Sequence, residues 1–127
     1  MKLQITTGAY SAPYICEGSK CETDKALIYE WCEEHDPGEG ISNYKLTYLK
    51  AGKTVLLQRT GLIRSELKFE AGIRTRGSIE TGYGVMDLNI ETDYINIPNI
   101  FSRTFEISYR LRENSDLNVN KFIICEL

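Results

Sequence analysis

The sequence predicts an all-β protein, an antiparallel meander wrapped around one core and closing into a barrel of about eight strands. Three observations carry that expectation. Apolar and polar residues alternate with period two along most of the chain, and no long stretch holds a helical period. Glycine-centred breaks fall at Gly8, Gly18, Gly38/Gly40, Gly52, Gly61, Gly72 and Gly82/Gly84; from Gly38 onward they stand near ten residues apart, as in short strands joined by hairpins. With 127 residues, 42% of them hydrophobic and 26% charged, the chain suffices for one globular domain over residues 1–127 and is too short for two. An open sandwich of the same hairpins is the rival architecture.

Taken in order, residues 2–7 are expected to run with a bend into a strand over 9–16. Further strands are expected over 22–33, 41–50, 53–59, 62–70, 73–81, 83–92, 103–112 and 117–125. Glu17-Gly18-Ser19-Lys20 reads as a turn, as do Asp36-Pro37-Gly38-Glu39-Gly40 and Glu113-Asn114-Ser115-Asp116. Alternation then assigns the inward face. It takes in Leu27, Tyr29 and Trp31; Tyr44, Leu46 and Tyr48; Ile63, Ser65, Leu67 and Phe69; and Ile73, Thr75, Gly77 and Ile79. Met86, Leu88 and Ile90, then Phe105, Ile107, Tyr109 and Leu111, complete it. Charged residues fill the alternate positions, and Glu66 and Glu70 are expected to meet Arg74 and Arg76 as surface ion pairs.

Charge and composition narrow the function classes. A net charge of −3 disfavours a binder of nucleic-acid backbones, which needs a basic face, so no nucleic-acid partner is expected. No apolar run is long enough for a membrane helix and the N-terminus has no secretory stretch, so the expectation is a cytoplasmic protein with no membrane partner. The four cysteines, Cys16, Cys21, Cys32 and Cys125, are then reduced thiols. Cys16-x4-Cys21 and Cys32-x2-His35 form a donor set that zinc accepts. With residues 17–20 as a turn, however, the two pairs sit at opposite ends of a strand, on the order of 30 Å apart. No metal and no cofactor are therefore expected.

From residue 55 the pattern becomes specific. Val55-Leu56-Leu57-Gln58-Arg59-Thr60-Gly61 is followed by Leu67-Lys68-Phe69-Glu70-Ala71-Gly72, by Thr81-Gly82-Tyr83-Gly84 and by Ile90-Glu91-Thr92. Tyr29-Glu30 stands upstream and Ile107-Ser108-Tyr109-Arg110-Leu111 downstream. Over roughly residues 26–112 this set of R-x-G, F-x-x-G, T-x-x-G and Y-x-L signatures resembles the YwiB-like family of uncharacterised small bacterial proteins. The resemblance implies a calycin-like, lipocalin-shaped barrel and no assigned activity. Members of that family carry another strand before the glycine that Gly8 matches. Here the barrel is either short of one strand, leaving an edge open to a partner, or Leu3 and Ile5 supply that strand in abbreviated form.

Candidate functional residues follow from the inward face. Arg59 shares its side of the strand with Val55 and Leu57, which aims a guanidinium at the interior or its mouth. It reads either as a clamp for a carboxylate or phosphate or as one half of an ion pair with Glu30 or Glu70. Tyr29, Trp31, Tyr44, Tyr48 and Tyr109 would give a cavity apolar walls with polar tips, or else plug the barrel. Tyr83, between Gly82 and Gly84, is either a lid over one end or packs on its own turn. His35 reads as part of a solvated acidic loop with Glu33, Glu34 and Asp36, and no constellation of nucleophile, base and electrophile emerges, so no catalytic residue is assigned. Two functions remain. In the first, the barrel binds a small, partly apolar ligand through Arg59 and the aromatic residues. In the second, a plugged barrel acts as an interaction module, monomeric or homodimeric through an exposed N-terminal edge strand.

Overall fold

Ten strands follow one another in a computed structural model that describes residues 1–8, 12–34, 40–112 and 119–127. They are β1 (Lys2–Thr6), β2 (Tyr14–Glu22), β3 (Ala26–Glu34), β4 (Ile41–Leu49) and β5 (Thr54–Thr60), then β6 (Arg64–Glu70), β7 (Arg74–Thr81), β8 (Gly84–Asn96), β9 (Thr104–Leu111) and β10 (Val119–Glu126). Each strand pairs antiparallel with its sequence neighbours, and β1 also pairs with β10, so the meander closes into a barrel. The fold class expected from alternation stands, with ten strands rather than about eight.

Closure settles the question left open at the N-terminus. Leu3 and Ile5 do supply the abbreviated strand: Leu3 lies opposite Cys16 on one side and Glu126 on the other, and Ile5 opposite Tyr14 and Ile124. Both are fully buried. The exposed N-terminal edge expected in the interaction-module reading does not exist, because β1 spends its hydrogen-bonding groups on two neighbours.

Two strand boundaries differ from expectation for physical reasons. Residues 17–20 are not a turn but lie inside β2, which runs beside β3 with Gly18 opposite Trp31. Gly18 is there for close approach: a Cβ at that position would stand 2.5 Å from Leu3 Cδ1 and 2.9 Å from the Glu30 carbonyl oxygen. The corrected strand brings Cys16 beside the Cys32–Glu33 end of β3, rather than far from it. Cys16 packs against the core whereas Cys32 is exposed and donates to Asn43 Oδ1 at 2.9 Å. β8 runs on to Asn96, past the expected end at residue 92, because a bulge between Thr92 and Tyr94 interrupts period two and then restores it. The expected turns at 36–40 and 113–116, and His35 with them, fall mostly or wholly outside the described residues.

The antiparallel order gives the barrel two unlike ends. At one, here the floor, lie the turns 23–25, 50–53 and 71–73 and the loop 97–103. Just inside it Phe105 meets Tyr29 and Tyr48 edge-on, with centroids 6.2 and 6.1 Å apart, and Leu27, Val55, Phe69 and Ile124 are buried around them. This filled half holds Tyr29, Phe69 and Phe105, the three largest fully buried side chains among the described residues. The expected inward positions hold with two exceptions. Ile73 is exposed because it belongs to the turn before β7, and Met86 is exposed at the other end, described below. Alternation had not placed Phe122 and Ile124 of β10, which also lie in the core.

The surface ion pairs differ from expectation too. Arg74 bonds not to Glu66 or Glu70 but to Glu91, its register partner on β8, at 2.8 Å, and Arg112 reaches the same Glu91 oxygen at 2.9 Å. Arg76 has no ion-pair partner among the described residues.

Inside the barrel, Gly77 plays the same part as Gly18. A Cβ there would lie 2.6 Å from Leu67 Cδ2 and 2.9 Å from the Glu66 carbonyl oxygen, whereas one on Gly82 would meet nothing within 4 Å. Gly77→Ala is expected to cost about 1–3 kcal/mol in urea unfolding. Gly82→Ala is expected to stay within about 0.5 kcal/mol. Equal effects of the two substitutions would refute the close-packing role.

Candidate functional site at the barrel mouth

The second end of the barrel is a mouth, and β8 shows why. Its inward side chains run from Met86, 53% exposed, through Leu88 at 2% to Ile90 at 0%. The neighbouring inward residues Ser65, Leu67, Ile79, Tyr109 and Leu111 are likewise only partly buried. Large aromatic side chains thus fill the floor half, while on β6–β9 the inward face near the mouth stays partly accessible to solvent.

Arg59 sits in the rim of this mouth. The last inward position of β5 places it opposite Tyr44 on β4 and Ser65 on β6. Its Nε and Nη2 donate to the buried Ser42 Oγ at 3.3 and 3.1 Å, and its guanidinium carbon lies 5.4 Å from the centre of the Tyr44 ring. Tyr44 in turn stacks on Trp31, with centroids 5.2 Å apart and planes 3° from parallel. The stack is tied down at both polar tips: the Trp31 indole donates to the Tyr14 hydroxyl at 3.3 Å, and the Tyr44 hydroxyl donates to Glu33 Oε2 at 3.0 Å. Trp31, Tyr44 and Arg59 therefore form one layered unit across three adjacent strands. A cavity of about 250 Å³ reaches Arg59 and Ser65 from outside the barrel, over the outward residues Gln58, Arg64, Glu66, Ser78 and Glu80 of β5–β7.

The ion pair considered for Arg59 is absent. Glu70 stands at the floor end of β6, far from the mouth, and Glu30 occupies an outward position on β3. Among the described residues no carboxylate lies within ion-pair distance of Arg59. A half-buried guanidinium held by one hydroxyl and one aromatic face keeps much of its charge uncompensated.

The other candidates separate. Tyr29 and Tyr48 belong to the floor, where the Tyr29 hydroxyl donates to Glu126 Oε2 at 3.3 Å and Glu126 also holds Lys20 at 3.1 Å. Tyr109 meets Phe69 edge-on at 5.0 Å on the opposite wall, and its hydroxyl has no hydrogen-bond partner among the described residues. Nearby, the buried Thr92 Oγ1 is also without one. Tyr83 is fully exposed and covers nothing. Glu33, expected in a solvated loop, lies inside β3 and faces inward. Its role, and that of Ser42, followed from the same alternation two residues beyond Trp31 and two before Tyr44. Among the described residues no cluster of three or more histidine, cysteine or acidic side chains is set to hold a metal.

Burial dominates the tyrosine electrostatics. It pushes the Tyr44 hydroxyl well above its ordinary value near 10; the Arg59 charge works against the rise and Glu33 adds to it. Burial does the same to Tyr29, reinforced by the charge of Glu126 and the hydrogen bond to it. Burial alone raises Tyr109.

A closed ten-stranded antiparallel barrel with a filled floor and a mouth that holds Arg59, Tyr44 and Glu33 defines a small β-barrel protein. The chain belongs to the DUF1934 family, whose profile, described as a domain of unknown function, matches residues 6–123. It is similar in fold to the ywiB protein from Bacillus subtilis: that crystal structure matches with a TM-score of 0.65 at 19% identity, over 97% of this chain and 84% of its own. The family resemblance read from the sequence signatures is thereby confirmed. No curated protein matches the chain.

The tyrosine shifts set a pH dependence. Unfolding frees Tyr29 and Tyr44 to ionise near pH 10, whereas the folded protein holds them neutral above it. Their contribution is complete below that pH and is lost as pH rises through and beyond it. Urea unfolding should show stability falling above pH 10, and the slope should be shallower in Tyr29→Phe and Tyr44→Phe. An unchanged slope in both would refute the assignment.

Proposed function

We propose that this barrel binds a small, partly apolar molecule carrying an anionic group, with Arg59 anchoring the anion and with Tyr44, backed by the buried Trp31, and the inward aliphatic residues of the mouth receiving the apolar part. The observation that carries this reading is the half-buried Arg59 guanidinium, oriented by Ser42 and Tyr44 and left without a carboxylate. A guanidinium fixed in this way presents its remaining donors in the planar fork that suits a carboxylate or phosphate. The accessible inward positions Met86, Ile79 and Leu67 supply apolar surface next to it. Tyr109, with its unpartnered hydroxyl, offers a polar contact deeper in the barrel. Of the six residues singled out from the sequence, Arg59, Tyr44 and Tyr109 belong to this site, Trp31 backs Tyr44 from the core, and Tyr29 and Tyr48 support its floor. A calycin-like barrel that takes its ligand through one open end fits this division.

Four free cysteines fit a reducing compartment, which supports the cytoplasm as the location, and the Bacillus subtilis fold relative supports a bacterial origin. No helix among the described residues is long and apolar enough to cross a membrane.

The test uses 8-anilinonaphthalene-1-sulfonate, an apolar fluorophore with one anionic group. Wild-type protein should enhance its fluorescence saturably, and Arg59→Met should weaken binding by roughly tenfold or more while leaving the urea midpoint nearly unchanged, since a charge-assisted hydrogen bond is lost. If Arg59→Met instead lowers stability by about 3–5 kcal/mol and binds the probe as the wild type does, the residue is structural and the reading fails.

A further inference from the structure

Arg59 is not the only charged group that the mouth turns inward. Glu33, the inward residue of β3 beyond Trp31, stands opposite Ser42 on β4, and Ser42 carries the hydroxyl to which Arg59 donates from β5. A carboxylate and a guanidinium therefore flank one buried serine across three adjacent strands. The Trp31–Tyr44 stack lies one inward position nearer the floor.

Neither charge is neutralised by the other or by a third group. Glu33 is half-buried and accepts one hydrogen bond, from the Tyr44 hydroxyl to its Oε2 at 3.0 Å. Among the described residues no lysine or arginine, Arg59 included, lies within ion-pair distance of it. On β2 the group nearest to it in charge effect is Cys16, whose thiol is pushed up by burial first and by Glu33 second and so stays protonated. Tyr44 lies between the two charges: its hydroxyl holds Glu33, its ring lies 5.4 Å from the Arg59 guanidinium, and the charges act on that hydroxyl in opposite senses. Arg59 spends Nε and Nη2 on Ser42, and Glu33 spends Oε2 on Tyr44, which leaves Nη1 of the one and Oε1 of the other for a ligand.

We propose that the mouth selects a zwitterion of about dipeptide length, its carboxylate on Arg59 and its ammonium on Glu33. This inference rests on the ligand-binding reading of the same site and adds the second charge to it. Two half-buried opposite charges held apart have each given up part of their hydration without gaining a partner, and a ligand that bears both signs compensates both at once. A ligand with an anion alone would satisfy Arg59 and meet an uncompensated carboxylate beside it, which works against binding. Reach fits as well. Two strand spacings separate β3 from β5, roughly 10 Å between backbones, and both side chains lean into that gap toward Ser42 and Tyr44. A dipeptide sets its ammonium and carboxylate about two residues apart, roughly 7 Å.

Isothermal titration calorimetry of the full chain tests the proposal with glycyl-phenylalanine and N-acetyl-glycyl-phenylalanine, which share carboxylate and ring and differ in the ammonium. Wild-type protein should bind the free dipeptide roughly tenfold or more tightly than the acetylated one. Glu33→Gln, which keeps an oxygen to accept the Tyr44 hydroxyl, should bring the two peptides to equal affinity. Arg59→Met should weaken both. Equal binding of the two peptides by the wild type, a preference for the acetylated one, binding of neither, or a preference that survives Glu33→Gln would each overturn the inference. The fluorophore separates the two levels: if it still binds through Arg59 in any of those cases, the mouth is a site for anions and only the zwitterion is lost. If the wild type binds neither fluorophore nor peptide, the ligand-binding reading falls and the zwitterion falls with it.

Discussion

Every other feature of this protein depends on the double pairing of β1. Ten strands in a meander leave a first and a last edge, and only a strand that bonds to both β2 and β10 removes them together. Five residues, Lys2–Thr6, do this, with Leu3 and Ile5 turned inward so that backbone pairing and core burial reinforce each other. The contact between β1 and β2 is close enough to require glycine at position 18, where the Leu3 side chain lies over the strand. Without that closure the interior would face solvent along a seam, and neither floor nor mouth would be defined.

Given closure, the distribution of large side chains separates the two ends. Phe105, Tyr29, Tyr48 and Phe69 fill the cross-section near the floor, and the ring edges of Phe105 against two tyrosines leave little room for another molecule. Toward the mouth, the inward positions of β6–β8 hold Ser65, Gly77 and partly exposed Met86 in place of rings. Small and flexible side chains on β6–β8 face the rigid Trp31–Tyr44–Arg59 layer on β3–β5. That asymmetry, and not the number of aromatic residues, is what makes the mouth a candidate site.

Much of this was legible in the chain. The strand rhythm, the inward face and the family signatures were all local patterns. Arg59 was correctly placed on the inward side by its spacing from Val55 and Leu57. Some misreadings came from giving a local symbol its commonest meaning. Gly18 looked like a turn because glycine usually marks one, yet it serves close packing between strands. Glu33 looked like part of a solvated acidic run, yet it is the next inward position after Trp31 and receives the Tyr44 hydroxyl. The bulge at Thr92–Tyr94 hid the last residues of β8, because one extra residue shifts the alternation by half a period.

The sequence by itself determined which residues form strands and which side of each strand turns inward, because a period of two is written residue by residue along the chain. Tertiary structure decided which inward residues meet. It divided the tyrosines between floor and mouth, gave Arg74 and Arg112 a common partner in Glu91, and set Arg59 against Ser42 and Tyr44 rather than against a carboxylate. It also decided that the N-terminal strand has no free edge. These outcomes depend on register and closure between segments distant in the chain, and slipping a pairing by one residue would turn every side chain to the other face.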